Sequence, residues 1–113
     1  NRLQIDNARI QVLDTELQLE NSKKVLRKEI ETAQTSAVAS LNKFTSSGKA
    51  VASMVEAFRY SEEKYNVGIV NAVEYNTAKT NLAKAESDLL QAKYEFIFRT
   101  KILDFYRGLP ITL

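Results

Sequence analysis

Residues 65–82 read Tyr-Asn-Val-Gly-Ile-Val-Asn-Ala-Val-Glu-Tyr-Asn-Thr-Ala-Lys-Thr-Asn-Leu, and this stretch decides the fold. Gly68 suits the left-handed position just past a helix end, where a side chain would clash with the backbone. Asn71, with Glu74 three residues later, forms a capping-box-like start for a second helix. Outside this stretch, breakers are scarce. The only other glycines are Gly48 and Gly108, and the one proline is Pro110. Such scarcity predicts very few, very long helices. The expected layout is a helix over about residues 2–65, a turn at 66–70, and a second helix over about 71–107. Gly108 and Pro110 then end the second helix and leave a tail at 108–113. At 1.5 Å rise per residue the arms would be roughly 95 Å and 55 Å long. The fold class is all-α, an antiparallel two-helix coiled-coil hairpin with unequal arms.

The second arm carries the clearest repeat. Tyr75, Ala78, Leu82, Ala85, Leu89, Ala92, Phe96, Arg99, Leu103 and Tyr106 follow one another at alternating spacings of three and four. That is a heptad seam with a single polar interruption, Arg99. Large residues alternate with alanines, whose small size lets a partner helix approach closely. A matching seam on the first arm is expected at Ile30, Ala37, Leu41, Phe44, Gly48, Val51, Val55 and Phe58. A 3.5-residue repeat implies a left-handed supercoil. Folding at Gly68 sets residue 68−k opposite about 68+k, so Phe58 faces the region of Ala78 and Phe44 that of Ala92.

One seam would suffice for a hairpin that lived alone, and this chain has more. Ile5, Val12, Leu19, Leu26 and Ala33 recur every seven residues, and Leu3, Ile10 and Leu17 form an offset series. Ala83, Leu90 and Ile97 lie outside the main seam of the second arm. Apolar residues on two flanks predict neighbours on both sides, as in a bundle or a closed cylinder of helices. Pairing outward from Gly68 also exhausts the second arm near residue 28. Residues 1 to about 27 are then expected to find their partner outside this chain, in other parts of a larger parent protein.

Composition narrows the function classes. Sixteen Lys and Arg balance 14 Asp and Glu, for a net charge of +2. Nucleic-acid binding would need clustered basic residues and is not expected. The chain has no Cys and no His, which removes disulfides, thiolate chemistry and the usual zinc ligands. There is no Gly-rich phosphate loop, and the acidic pair Glu62-Glu63 reads as helix surface, so no catalytic, metal or cofactor-binding residue is expected. No apolar run approaches the roughly 18 residues of a membrane-spanning helix. The chain opens in the middle of a polar, helix-like pattern, which reads as a cut made inside a larger protein.

At the turn the sequence resembles the TolC family of outer-membrane efflux proteins. The resemblance rests on Tyr65-Asn66-Val67-Gly68, then Val73-Glu74-Tyr75-Asn76-Thr77-Ala78, then Leu82, Ala85, Leu89, Ala92-Lys93-Tyr94 and Tyr106-Arg107-Gly108. It covers about residues 50–113, with residues 1–49 joining only through their helical pattern. The resemblance implies a segment of a homotrimer in which twelve helices from three chains form a periplasmic α-barrel. An outer-membrane β-barrel, absent from this segment, would anchor the parent in a Gram-negative bacterium. The helical turns would dock a periplasmic adaptor protein that links to an inner-membrane pump, for export of small molecules, with no enzymatic activity and no cofactor. Gly68 takes the place of the family's tip glycine and Tyr65 that of its turn tyrosine, which makes both candidate docking residues. Glu74 stands where the first acid of the pore constriction occurs. Two departures matter: Thr77 replaces the second acid, and Val70 replaces a basic residue common just after the glycine. A latch built on an Arg-to-acid network is therefore not expected.

Each site has a plainer alternative. Glu74 serves equally as the third residue of a capped helix, and Gly68 as a C-cap glycine. Tyr94, Phe96, Phe98, Phe105 and Tyr106 read as core packing. Lys23, Lys24, Arg27 and Lys28 are interleaved with Glu20, Glu29 and Glu31 and read as a solvated face. For the whole chain the alternatives are a structural coiled-coil scaffold or an adaptor-protein hairpin, although the latter would have arms of nearly equal length.

Overall fold

The computed structural model describes residues 1–108. It holds two long helices, α1 (Arg2–Asn66) and α2 (Ala72–Tyr106), which fold back on each other as an extended hairpin. The molecule measures 98 × 25 × 15 Å. A straight helix of 65 residues spans about 98 Å, so the long axis is α1 itself. α2 has 35 residues and covers little more than half of it.

The two helix ends at the turn are fixed by local hydrogen bonds. Val67 caps α1, Gly68 follows at φ 80°, and Ile69 closes the turn. The Ile69 amide donates to the Lys64 carbonyl (2.9 Å) and the Gly68 amide to the Tyr65 carbonyl (3.0 Å). This is a Schellman motif, which satisfies carbonyls the helix would otherwise leave bare. Asn71 is the N-cap of α2; its Oδ1 accepts from the Glu74 amide at 2.9 Å. At the far end Gly108 adopts φ 75°, as expected of a glycine past a helix end. Pro110, and with it most of the expected tail, lies outside the described residues.

The α2 seam is as the spacing predicts: from Tyr75 to Tyr106 every seam position is buried or half-buried, and Ala92 is the most enclosed residue, 1 % exposed. Four pairs mark the register. Phe58 meets Tyr75 (ring centroids 5.6 Å apart) and Phe44 meets Phe96 (6.0 Å). Lys43 bridges to Glu95 at 3.2 Å, and the Tyr106 hydroxyl donates to Glu29 at 3.5 Å. All lie near the expected 68−k against 68+k. Glu95 thus reaches across the seam to Lys43.

The α1 seam differs from the expectation. Leu41 and Val55 are 44 % and 43 % exposed. The residues facing α2 are Ile30, Ala33, Ala37, Ser40, Phe44, Ser47, Val51, Met54, Phe58 and Ser61, an unbroken alternation of threes and fours. Hydrophobicity alone misses it because serines hold three of its positions. Ser40 can be buried because its hydroxyl donates to the Ala37 carbonyl at 2.8 Å, leaving no unmet polar atom. The aromatic cluster also divides. Phe96 and Tyr106 lie on the seam, but Tyr94, Phe98 and Phe105 are exposed on the outer side of α2, contrary to a core role for all five.

Gly48 sits mid-α1, and a Cβ built there meets nothing within 4 Å. Gly48→Ala therefore restrains the unfolded chain without a steric cost. It should stabilise the isolated hairpin by about 1 kcal/mol, read as a higher midpoint in a thermal melt followed by circular dichroism.

Candidate functional site

The turn brings together the residues singled out from sequence. Tyr65, at the end of α1, stacks on Tyr75 of α2 with ring centroids 4.7 Å apart and planes 20° from parallel. Phe58 also lies against Tyr75, tilted by 39°. Three rings thus bolt the two helices together just below the turn, contributing beyond their buried area through their preferred geometry. Tyr65 is consequently a structural clamp as well as a tip residue. Gly68 is left-handed by necessity, and the space around its Cα is open.

Glu74 lies in the first turn of α2 and is exposed. Its amide is capped by Asn71, but its carboxylate does not return the bond, so the capping box is half formed. The negative charge still favours the positive end of the helix dipole. Among the described residues Glu74 has no ion-pair partner, which leaves its carboxylate available to whatever lies beside the tip. Thr77 donates its hydroxyl to the Val73 carbonyl at 2.8 Å and offers no charge there.

Three residues at the turn escaped the sequence reading. Val67, Ile69 and Val73 are 70 %, 71 % and 72 % exposed, the highest values among the exposed large apolar side chains. The signal was present: Val-Gly-Ile-Val occupies a turn where polar residues normally predominate. Two cations near the end of α1 are engaged by their own helix. Arg59 bridges Glu56 (2.9 Å) and Glu63 (3.2 Å), and the hydrogen bond to Glu56 and both carboxylates raise its already high pKa. Lys64 lies 4.2 Å over the Tyr60 ring.

At the opposite end α2 stops near Glu29, and residues 1–29 of α1 are exposed throughout. Leu3, Ile5, Ile10, Val12, Leu13, Leu17, Leu19, Val25 and Leu26 lie 49–66 % open. The basic residues Lys23, Lys24, Arg27 and Lys28 are exposed too, as a solvated face requires. Shallow depressions flank the α2 terminus, one beside Arg99 and Tyr106, another among Tyr94, Phe98 and Phe105. Among the described residues no group of acidic side chains is placed to hold a metal ion, and no helix is long and apolar enough to cross a membrane.

These features define a class: an extended antiparallel two-helix hairpin, with an exposed turn at one end and an uncovered apolar stretch of α1 at the other. No family model matches the sequence, and neither a curated protein nor a solved structure shows significant similarity to it.

Proposed function

We propose that this chain is a periplasmic segment of a trimeric, TolC-like outer-membrane efflux channel. In this reading it contributes a helical hairpin to the wall of a tunnel, and its turn docks a periplasmic adaptor coupled to an inner-membrane pump. The chain performs no chemistry of its own; it is a wall and a contact point. One observation carries the reading. The α1 core series Ala33, Ser40, Ser47, Met54 and Ser61 continues backwards, in unbroken steps of seven, as Leu26, Leu19, Val12 and Ile5, yet α2 ends before it can cover them. A seam that outlives its partner calls for a further helix in line with α2. The offset stripe of Leu3, Ile10 and Leu17 calls for another on the far side. A helix with neighbours on both flanks is what a closed cylinder of helices requires. The unequal arms favour this over the hairpin of an adaptor protein.

The test is to purify the parent protein, determine its oligomeric state in detergent, and record its conductance in planar bilayers. A trimer that conducts supports the proposal; a monomer without conductance refutes it. Within the same recordings, Glu74→Gln should leave assembly and helicity intact while weakening block by divalent cations. Three carboxylates converging on a threefold axis attract cations and their removal abolishes that attraction. An unchanged block in the variant would restrict Glu74 to its place at the helix start.

A further inference from the structure

We propose that the cleft where α2 ends against α1 binds an amphiphilic monocarboxylate, its carboxylate on Arg99 and its apolar body along the aromatic stripe of α2. The proposal stands apart from the channel reading and starts from the polar interruption of the α2 seam. A two-helix seam gains most from an apolar residue at such a position, because half-covering a cation without a partner carries a desolvation cost. Arg99 is half-buried there, and among the described residues its guanidinium makes no ion pair or hydrogen bond. Glu95, one turn earlier on α2, bridges to Lys43 at 3.2 Å. Glu29 accepts from the Tyr106 hydroxyl at 3.5 Å.

Arg99 lines a depression of about 500 Å³ with Lys28, Glu29, Thr32 and Ser36, beside the apolar side chains of Ala33 and Ile102. Thr15, Thr35, Thr45 and Thr77 return their hydroxyls to carbonyls of their own helix. Thr32 and Ser36 do not, so both hydroxyls are open to a ligand beside Arg99. Two cations and one carboxylate leave the depression one positive charge, which suits a monoanion; a dianionic phosphate would be repelled by Glu29. The guanidinium fork also matches the two oxygens of a carboxylate. Ile102 and Tyr106 belong as well to a second depression of about 630 Å³, shared with Tyr94, Ile97, Phe98 and Phe105. Phe98 and Phe105 are 62 % and 64 % exposed. A charged head site and an apolar track therefore adjoin, and each falls within the roughly 300–1,000 Å³ of small-molecule sites.

The test titrates the 113-residue chain with monomeric decanoate and follows backbone and Arg99 side-chain NMR shifts. The expected dissociation constant is on the order of 1 mM or tighter. Hexanoate, with a shorter tail, binds at least about tenfold more weakly, since each covered methylene tightens binding by about fourfold. Arg99→Gln weakens decanoate binding about tenfold, and Phe98→Ser about threefold to tenfold. Circular dichroism should show unchanged helical content in both. Arg99→Leu should lose binding while melting no lower than the unaltered chain. A leucine variant that melts well below it assigns Arg99 to the fold and overturns the site. Decanol or decyltrimethylammonium binding as tightly as decanoate shows that the tail alone is recognised, which also overturns it. So does decanoate binding that ignores Arg99→Gln, or shifts confined to residues 1–27. Phosphatidylglycerol vesicles form the last arm: a chain that binds them but not monomeric decanoate has a bilayer as its ligand, and the proposal fails.

Discussion

Replacing Ala92 with aspartate should largely unfold the hairpin at neutral pH and spare it in acid. Ala92 is 1 % exposed, the most enclosed residue of the seam, and a carboxylate there would be stripped of water while Lys43 across the seam is already paired with Glu95. The expected loss is about 3 kcal/mol. The core contains little else to absorb it. Among the described residues Ala33, Ala37 and Ala92 are the buried apolar ones, Ser40 is buried beside them, and the other seam residues are half-covered. A hairpin of this kind has only a few kcal/mol in total. The sign of the pH dependence follows from linkage. In the unfolded chain the new aspartate titrates near its ordinary value of about 3.9. In the folded chain burial favours the neutral form and raises its pKa. The penalty is therefore full above the raised value, shrinks as pH falls through it, and is smallest below about 4. Urea unfolding at neutral and at acid pH measures both limbs. Equal loss at the two would mean that crowding, not charge, is the cause, and Ala92→Ser provides the steric control.

The second large effect concerns assembly rather than folding. Leu19→Asp with Leu26→Asp should leave the melting behaviour of the isolated hairpin unchanged to within about 0.5 kcal/mol, because exposed positions with no partner lose nothing. In the parent protein the same pair should abolish trimer formation. If a further helix covers these leucines, two buried carboxylates in each of three subunits are prohibitive. Size-exclusion chromatography with light scattering separates the outcomes. A parent trimer that tolerates both aspartates would show that the overhanging stripe faces water in the assembly, and the tunnel-wall reading would fail. Together the two substitutions distinguish what holds the hairpin closed from what the hairpin is for.

Much of the architecture was legible because helices announce themselves periodically. The α2 seam could be read residue by residue, since its core positions are occupied by Leu, Ala and aromatic residues at heptad spacing. The turn could be read because Gly68 and Asn71 have few other uses in so glycine-poor a chain. The α1 seam was legible only in part. Ser40, Ser47 and Ser61 carry no hydrophobic signal, while Leu41 and Val55 do and yet point away from α2. A serine that returns its hydroxyl to its own helix is effectively a small residue, and a pattern search by hydropathy passes over it. The same limit misplaced Tyr94, Phe98 and Phe105. Their composition suggests a core, but their phase on α2 sets them opposite the seam.

The candidate site divides in the same way. Sequence located the tip and named Tyr65, Gly68 and Glu74, because cap and turn chemistry is local and depends on residues within a few positions of one another. It did not show that Tyr65 stacks on Tyr75, or that Val67, Ile69 and Val73 are the most exposed of the large apolar side chains. Those are facts about which side chains are covered, and cover is supplied by a second helix.

The sequence by itself determined that this chain forms two long helices of unequal length joined at Gly68, since helix starts, stops and periodicity are written within single turns of the backbone. Only the tertiary structure decided which stripe of α1 faces α2 and which stripes are left over. That choice depends on the rotational phase of one helix against another. Phase is set by the fit of alanines and serines against rings across the seam, a property of the pair that neither helix carries alone.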